Sequence, residues 1–210
     1  LIQGIIAGGY PAIFKAQEGA EDEESFAIED LKTHGFTAKD VLVGIAASGR
    51  TPYVIGGLRY AKKMNAATIA IACSQGSPIA EHADIALTAL VGPEVITGST
   101  RMKAGTAQKL ILNMLSTGTM IRLGKVYGNL MVDVKTSNKK LEERARHIVM
   151  EATGCTRQEA VDTLKTASGS AKLAIFLLLS RLPLAQAQKA LAAADGYIGK
   201  ALAALQIHTC

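Results

Sequence analysis

The stretch from Val41 to Pro52 constrains the fold of this chain more than any other part of its sequence. An apolar run, Val41–Ile45, has the length and branching of a buried parallel strand. Small residues follow, and then Thr51 and Pro52 fit the N-cap and first position of an amphipathic helix that reaches Met64. A strand, a tight turn and a helix N-terminus can together form an anion site, because unpaired N–H groups and the helix dipole meet there.

The turn also carries donor side chains for an anion. Ser48 and Thr51 supply hydroxyls and Arg50 supplies a guanidinium, on either side of Gly49. An ordinary strand-to-helix turn favours serine and glycine as well, so the residues alone leave both interpretations open.

Strands and helices alternate through the first half of the chain. Apolar runs at 1–7, 67–73 and 85–90 predict strands, and helical periodicity at 10–18 and 24–32 predicts helices between them. This alternation predicts an α/β fold with a doubly wound parallel sheet in three layers, αβα. Ligands of such a sheet bind at the carboxyl ends of its strands.

The second half of the chain is helical in pattern. The segment 107–122 is apolar on most faces, which predicts a buried helix, and 173–179 is the most apolar run and is also expected to be a buried helix. Thr156 and Glu159 have the spacing of a capping box. We expect residues 1–138 to form the sheet domain and residues 139–210 a small helical module.

Composition limits the classes of partner. Of the 210 residues 49% are hydrophobic and 20% are charged, which is typical of a globular protein. Aromatic residues make up 4% with no Trp, which argues against base stacking on nucleic acid. The net charge of +5 is spread along the chain and suits a small anionic substrate better than a nucleic acid.

Cysteine and histidine residues do not cluster in the sequence. Cys73, Cys155 and Cys210 lie far apart without metal-ligand spacing, and the four His are equally scattered. We therefore expect no metal, no disulfide framework and a reduced, cytoplasmic protein. No apolar run approaches the length of a membrane span, and no signal peptide is recognisable.

Two further polar runs could carry chemistry. Acidic residues between Glu18 and Glu24 could work as acid–base groups, although a solvated helix start is the commoner use of such a cluster. Between Thr97 and Lys109, hydroxyls and cations precede a long helix, which is typical either of an anion-facing turn or of a solvated N-cap.

Together these runs resemble a known family. The segments Glu-Gly-Ala-Glu-Asp (18–22), Val-Gly-Ile-Ala-Ala-Ser-Gly-Arg-Thr-Pro-Tyr-Val (43–54) and Thr-Gly-Ser-Thr-Arg-Met-Lys-Ala-Gly-Thr-Ala-Gln-Lys (97–109) resemble the bacterial N-acetylmuramic acid 6-phosphate etherases. Leu-Asn-Met-Leu-Ser-Thr-Gly (112–118) and Gly-Asn-Leu-Met-Val-Asp (128–133) extend the resemblance. These enzymes belong to the SIS superfamily of phosphosugar-binding domains.

The resemblance implies a reaction and a set of site residues. N-acetylmuramate 6-phosphate and water would give N-acetylglucosamine 6-phosphate and D-lactate, by elimination and then addition of water, without metal or organic cofactor. Glu21 matches one of two acid–base glutamates. The sugar-phosphate loop corresponds to Ser48, Gly49, Arg50 and Thr51, and a second substrate-contacting segment to Ser99, Arg101 and Lys103.

The resemblance also implies a segment upstream of residue 1. Family members carry there a first strand, a Gly-Thr-Ser-Gly-type loop and a second glutamate that would protonate the departing lactate. That strand would lie between the strands at 1–7 and 41–45, and its absence would leave buried backbone groups unpaired. Either the polypeptide is longer than these residues, which we expect, or another chain fills the gap.

Other functions remain open on sequence grounds. Glucokinase regulatory proteins resemble these etherases and bind phosphosugars without chemistry, and aldose–ketose isomerases share the fold. The module at 139–210 resembles a ubiquitin-associated-type three-helix fold, for which packing is the expected role. The superfamily implies a homodimer.

Overall fold

A computed structural model describes residues 1–134, 136 and 138–207 of the chain. His208 and Cys210, two of the residues for which the sequence predicts neither metal binding nor a disulfide framework, lie outside the described residues. The elements in chain order are α1 (Gly9–Ala12), α2 (Glu24–Thr33), β1 (Val41–Ile45), α3 (Pro52–Lys63), β2 (Ala67–Ala72), α4 (Pro78–Glu81), β3 (Ile85–Thr88), α5 (Lys103–Arg122), β4 (Val126–Tyr127), β5 (Leu130–Met131), α6 (Lys139–Thr153), α7 (Arg157–Thr166), α8 (Ala171–Ser180), α9 (Leu184–Ala193) and α10 (Ile198–Ala204).

A three-stranded parallel sheet organises the first part of the chain. Its strand order is β1-β2-β3, with Val41 opposite Ala67 and Ile69 opposite Ile85. The helix α3 connects β1 to β2, and α4 lies between β2 and β3, so each crossover carries a helix. Leu58 of α3 and Ile79 of α4 are fully buried against the sheet core. The predicted α/β class with a parallel sheet is confirmed.

The strand predicted at 1–7 does not form. Residues 1–6 have no regular structure, and α1 begins at Gly9. Leu1 and Ile2 are 87% and 61% exposed. An apolar run becomes a strand only when a neighbouring strand pairs with its backbone, and no strand of the described residues does so here. The helix predicted at 10–18 is likewise reduced to the single turn of α1.

The helical part of the chain follows most of its sequence pattern. The Thr156 hydroxyl and the Glu159 carboxylate form the predicted capping box at the start of α7. Ile175 and Phe176 of α8 are fully buried, as the apolar run 173–179 predicts. The prediction that α5 is a buried helix is wrong, because only Ala104 is buried in it and Met114 is 65% exposed. A helix that is apolar on most faces needs elements packed on all of them, and the described residues do not supply these.

The described residues divide into two compact units. One comprises Leu1–Asn113 and the other begins at Met114, so the division falls within α5. The boundary expected between residues 138 and 139 stays a prediction. Within the part of the chain that the structure describes, no helix has both the length and the apolar character needed to cross a membrane.

Asp84, which directly precedes β3, is hydrogen-bonded to Thr68 of β2. This interaction makes the free energy of unfolding depend on pH. The Asp84 carboxylate accepts 2.8 Å hydrogen bonds from the Thr68 hydroxyl and the Thr68 N–H, and the Asp84 N–H donates back to that hydroxyl at 3.0 Å. The hydroxyl first, and then the Thr68 N–H, holds the pKa of Asp84 below its ordinary value. The interaction therefore stabilises the fold above the unfolded-state pKa of about 4 and is lost as pH falls through the lower folded value.

We accordingly expect the free energy of unfolding to decrease on acidification below about pH 4, and to decrease less in Asp84→Asn. Urea denaturation followed by circular dichroism at neutral and acid pH measures both proteins. Equal acid dependence in the two would contradict the role of Asp84. Glu81→Gln, an exposed change nearby on α4, is the matched control and should behave as the wild type.

Candidate functional site

The loop after β1 is anchored by backbone hydrogen bonds on both sides. The Ala46 N–H donates to the Ile71 carbonyl at 3.1 Å, and the Ala47 carbonyl accepts from the Cys73 N–H at 2.9 Å, so pairing with β2 continues past the strand. The Gly49 carbonyl accepts from the Ile79 N–H at 3.0 Å at the start of α4. The loop therefore holds a defined shape at the carboxyl end of the sheet, where the fold class predicts ligands.

Gly49 is required by this shape. It is buried, its φ is +67°, and a Cβ added to it would lie 2.1 Å from the Cβ of Ser77. Ser77 is itself 3% exposed. Only a residue without a side chain fits at this point, because the left-handed backbone and the contact with Ser77 both exclude a Cβ.

The predicted donor residues surround Gly49 but differ in what they contact. Ser48 and Arg50 are exposed, and the Ser48 hydroxyl accepts a 3.3 Å hydrogen bond from the Arg50 N–H. Thr51 occupies the predicted N-cap position of α3, with Pro52 at the first helical position, but its side chain makes no capping hydrogen bond. The anchored loop thus carries two exposed residues, Ser48 and Arg50, and the half-exposed Thr51, whose side chains have donors suited to an anion.

The expectation that the N-terminus of α3 presents unpaired N–H groups needs correction. Pro52 has no N–H, the Val54 N–H donates to the Thr51 carbonyl, and the Tyr53 N–H donates to the Glu21 carbonyl at 3.0 Å. The first turn of α3 is therefore satisfied within the protein. An anion at this loop would be held by the donors of residues 48–51, helped by the helix dipole.

The hydrogen bond from the Tyr53 N–H to the Glu21 carbonyl also brings the backbone of Glu21 close to the loop at 48–51. Glu21 lies in a turn before α2 with an exposed side chain, and its carbonyl caps α3 two residues after Thr51. The structure therefore brings together Glu21 and the loop at 48–51, which are far apart in sequence. Nearby in the acidic run, Glu24 is occupied by an ion pair with Arg59 at 2.9 Å.

The run from 97 to 109 is organised by a residue that the sequence analysis missed. The Glu94 carboxylate accepts hydrogen bonds from the Lys103 N–H at 3.0 Å and the Ala104 N–H at 3.2 Å, so it caps α5. The Lys103 amide is the main reason that the pKa of Glu94 lies below its ordinary value. A glutamate nine residues before the N–H that it caps has no recognised capping spacing, so the sequence offered no signal for it.

This cap determines what the predicted residues of that run can do. The Arg101 N–H donates to the Ser99 hydroxyl at 3.4 Å, and the side chains of Arg101 and Lys103 are exposed. Because Glu94 accepts from the Lys103 and Ala104 N–H groups, an anion here would be held by side chains, among them the cations of Arg101 and Lys103 and the Ser99 hydroxyl.

Cys73 connects this run to the loop. Its N–H donates to Ala47, and its thiol donates to the Ala104 carbonyl at 3.8 Å, at the beginning of α5. Burial, and then Glu94, raise the pKa of Cys73, so it is a neutral thiol rather than a nucleophile. The start of α5 thus lies at the same carboxyl edge of the sheet as the loop 46–51.

The arrangement offers phosphate binding beside a carboxylate that can move protons. Hydroxyl and guanidinium donors in an anchored loop are suited to a phosphate monoester, and the Glu21 backbone lies beside the first turn of the helix that follows this loop. Among residues 1–134, 136 and 138–207, no group of three or more His, Cys, Asp or Glu side chains is arranged to hold a metal ion.

Comparison with known proteins gives one family and many relatives. The profile of the SIS domain matches residues 30–118, which include the loop at 48–51 and the run around Arg101. An N-acetylmuramic acid 6-phosphate etherase of Clostridium beijerinckii is 57% identical over 96% of this chain and 66% of its own length. The N-acetylmuramic acid 6-phosphate etherase of Oenococcus oeni is 54% identical over 96% of this chain and 68% of its own length. N-acetylmuramic acid 6-phosphate etherase 2 of Vibrio cholerae is 56% identical over 96% of this chain and 66% of its own length. The chain thus spans about two thirds of the length of these relatives.

Proposed function

Because the chain belongs to the N-acetylmuramic acid 6-phosphate etherases, carbon–oxygen lyases that contain a SIS domain, we propose that its protein cleaves the lactyl ether of N-acetylmuramate 6-phosphate. The products are N-acetylglucosamine 6-phosphate and D-lactate. The observation that carries the proposal is the 57% identity to an etherase over 96% of the chain.

In the proposed site, the loop at 48–51 holds the 6-phosphate. The hydroxyls of Ser48 and Thr51 donate to phosphate oxygens and the Arg50 guanidinium neutralises their charge. Gly49 allows the loop backbone to follow this path. Support comes from the hydrogen bonds that anchor the loop to Ile71, Cys73 and Ile79, since they prepare its shape before substrate binds.

Glu21 is the proposed acid–base group of the reaction. In the open-chain sugar, the aldehyde acidifies the C2 proton; a base removes it, electrons form the C2–C3 double bond, and lactate leaves from C3. Water then adds to C3 and a proton returns to C2, which balances the reaction. A carboxylate can exchange these protons, and protonation of the departing lactate is the role that the resemblance gives to the second, upstream glutamate.

Ser99, Arg101 and Lys103 complete the proposed substrate contacts. Their run begins α5 at the same sheet edge as the loop, and the two exposed cations would attract a substrate that carries both a phosphate and a lactyl carboxylate.

Proton NMR in D₂O tests the proposed function. The protein is incubated with N-acetylmuramate 6-phosphate, and we expect free lactate together with deuterium at C2 of the product. A parallel arm uses the chain extended by the upstream segment of an etherase relative. Absence of lactate in both arms, with phosphosugar binding retained, would contradict the proposal and favour a binding protein.

Ser48→Ala is expected to raise KM for N-acetylmuramate 6-phosphate with little change in kcat. A hydrogen bond to a charged group contributes about 1.5–3 kcal/mol, which corresponds to an increase in KM of about 10- to 140-fold. Thr33→Val, which removes an exposed hydroxyl at the far end of α2, is the matched control and should leave KM unchanged. An unchanged KM in Ser48→Ala would remove Ser48 from the phosphate site.

We also propose that the protein is cytoplasmic and that residues 139–210 form a helical module whose role is packing. A further proposal is that the protein is a homodimer. Family resemblance supports the dimer, and exposed apolar side chains of α5, among them Leu110, Met114 and Ile121, are available for such an interface. Sedimentation equilibrium measures the mass in solution, and a monomer at micromolar concentration would contradict the dimer.

A further inference from the structure

Tyr53 makes a hydrogen bond that the reaction scheme does not use. Its side chain is 9% exposed, and its hydroxyl donates to the Asp30 carboxylate at 2.5 Å. Burial first, and Asp30 second, raise the pKa of Tyr53 well above its ordinary value, so the hydroxyl keeps its proton and remains a donor. The bond connects the first turn of α3 to α2, the helix that follows Glu21.

The same residue also binds Glu21 directly through its backbone. The Tyr53 N–H donates to the Glu21 carbonyl at 3.0 Å. Tyr53 therefore contacts the chain at two points, Glu21 and Asp30, that lie on either side of the start of α2. Two attachments fix the direction of a segment, whereas one leaves it free to rotate about the single bond.

Between these two points α2 lies directly on the backbone of α3. A Cβ added to Gly56 would lie 2.2 Å from the Glu24 carbonyl oxygen, so the helices approach more closely here than a side chain permits. One helical turn further along α3, Arg59 forms its ion pair with Glu24. Residues 53, 56 and 59 are spaced three apart and share a helix face, so all these contacts act on the same side of α2.

We propose that Tyr53 is a positioning residue for Glu21, holding it beside the phosphate loop through its hydrogen bond to Asp30. This inference rests on the proposed function. In this proposal Tyr53 does not itself contact the reacting atoms or the phosphate. It acts through α2 and the turn that contains Glu21. Without the hydroxyl, the packing of α2 on Gly56 and the exposed, weak Glu24 ion pair still hold α2, but the Tyr53 N–H is then the remaining hydrogen bond from Tyr53 to the Glu21 turn.

Removal of the Tyr53 hydroxyl should therefore lower the rate of the chemical step more than it weakens substrate binding. In Tyr53→Phe we expect kcat for lactate release to fall at least about 10-fold, since small displacements of a catalytic group can cost about 100-fold. KM should stay within about 2-fold of the wild type, because the hydrogen bonds of the loop to Ile71, Cys73 and Ile79 are untouched.

Companion variants separate positioning from general destabilisation. Asp30→Asn keeps an oxygen that accepts from Tyr53 and should retain most of kcat, whereas Asp30→Leu should reproduce the loss seen in Tyr53→Phe. Tyr60→Phe is the matched control, because it removes a tyrosine hydroxyl from the same helix and keeps the ring over which the Lys32 ammonium lies. A fall in kcat in Tyr60→Phe equal to that in Tyr53→Phe would overturn the proposal.

Amide hydrogen exchange tests the same inference without catalysis. The amide of residue 53 is protected by the Glu21 carbonyl, so Tyr53→Phe and Asp30→Leu should speed its exchange by about 10-fold or more, and Tyr60→Phe should not. Unchanged exchange overturns the inference whatever the activity. If exchange is faster in Tyr53→Phe and Asp30→Leu but the wild-type protein releases no lactate, the attachment of the Glu21 turn by Tyr53 is supported and the proposed function is contradicted.

Discussion

Glu21→Gln is expected to reduce kcat for lactate release by about 10²- to 10⁴-fold, the usual contribution of a positioned acid–base group. Glutamine has nearly the same shape, so the Glu21 carbonyl can still cap α3 and the loop at 48–51 keeps its anchors. KM should therefore change little. Proton NMR measures lactate release and the appearance of deuterium at C2, and both should slow together because both depend on proton transfer by this carboxylate.

Neighbouring glutamates supply controls that share the charge and exposure of Glu21. Glu18→Gln and Glu23→Gln each remove one negative charge from the same acidic run, and both side chains are exposed. Neither residue supplies the carbonyl that caps α3. We expect these variants to retain wild-type kcat. Full lactate release by Glu21→Gln would remove the assignment, and an equal loss in Glu18→Gln would point to the charge of the run instead.

The parts of the fold that sequence could predict are those determined within a few residues. The apolar run 41–45 coincides with β1, but the prediction that this strand is buried is wrong, because Val41 is 56% exposed and only Gly44 of the strand is buried. Thr51 and Pro52 begin α3 as their conformational preferences predict. The capping box at Thr156 requires only residues three apart. In these places local chemistry and the global fold agree, which is why a pattern suffices.

The parts that sequence could not predict depend on contacts between distant residues. The Glu21 carbonyl closes the N-terminus of α3 from 32 positions away, and a carbonyl is present at every residue, so composition cannot distinguish it. The Glu94 cap of α5 has no fixed spacing. The run 1–7 has strand composition without a strand beside it. The anion-site prediction for the loop after β1 assumed free N–H groups at the start of α3, but the Glu21 carbonyl accepts from the Tyr53 N–H and the Thr51 carbonyl from the Val54 N–H.

For the site itself, the sequence selects residues by their chemistry, and their roles stay predictions. The turn at 48–51 was selected for its hydroxyls, glycine and guanidinium, and the structure leaves Ser48 and Arg50 exposed on either side of a buried Gly49. The role of Gly49 in packing against Ser77 could not be read from sequence, because Ser77 follows β2 and becomes a neighbour only when β1 and β2 pair.

Gly49→Ala is expected to lower the free energy of unfolding by about 2–5 kcal/mol. A left-handed backbone costs an alanine about 1–2 kcal/mol, and overpacking of a buried site typically costs about 1–3 kcal/mol. Both penalties apply at Gly49, where φ is +67° and the new Cβ would lie 2.1 Å from that of Ser77. Urea denaturation measures the change, and substrate binding should be lost with it, because the loop that carries Ser48 and Thr51 must move.

Gly76→Ala separates the two penalties. Gly76 also has a left-handed backbone, with φ of +63°, but a Cβ there would meet nothing within 4 Å. The free energy of unfolding of this variant should fall only by the conformational penalty, about 1–2 kcal/mol. In a Gly49→Ala, Ser77→Gly double variant the colliding Cβ is gone, so part of the stability lost in Gly49→Ala should return as a favourable coupling energy. If Gly49→Ala costs no more than Gly76→Ala, the contact with Ser77 does not determine the shape of the loop.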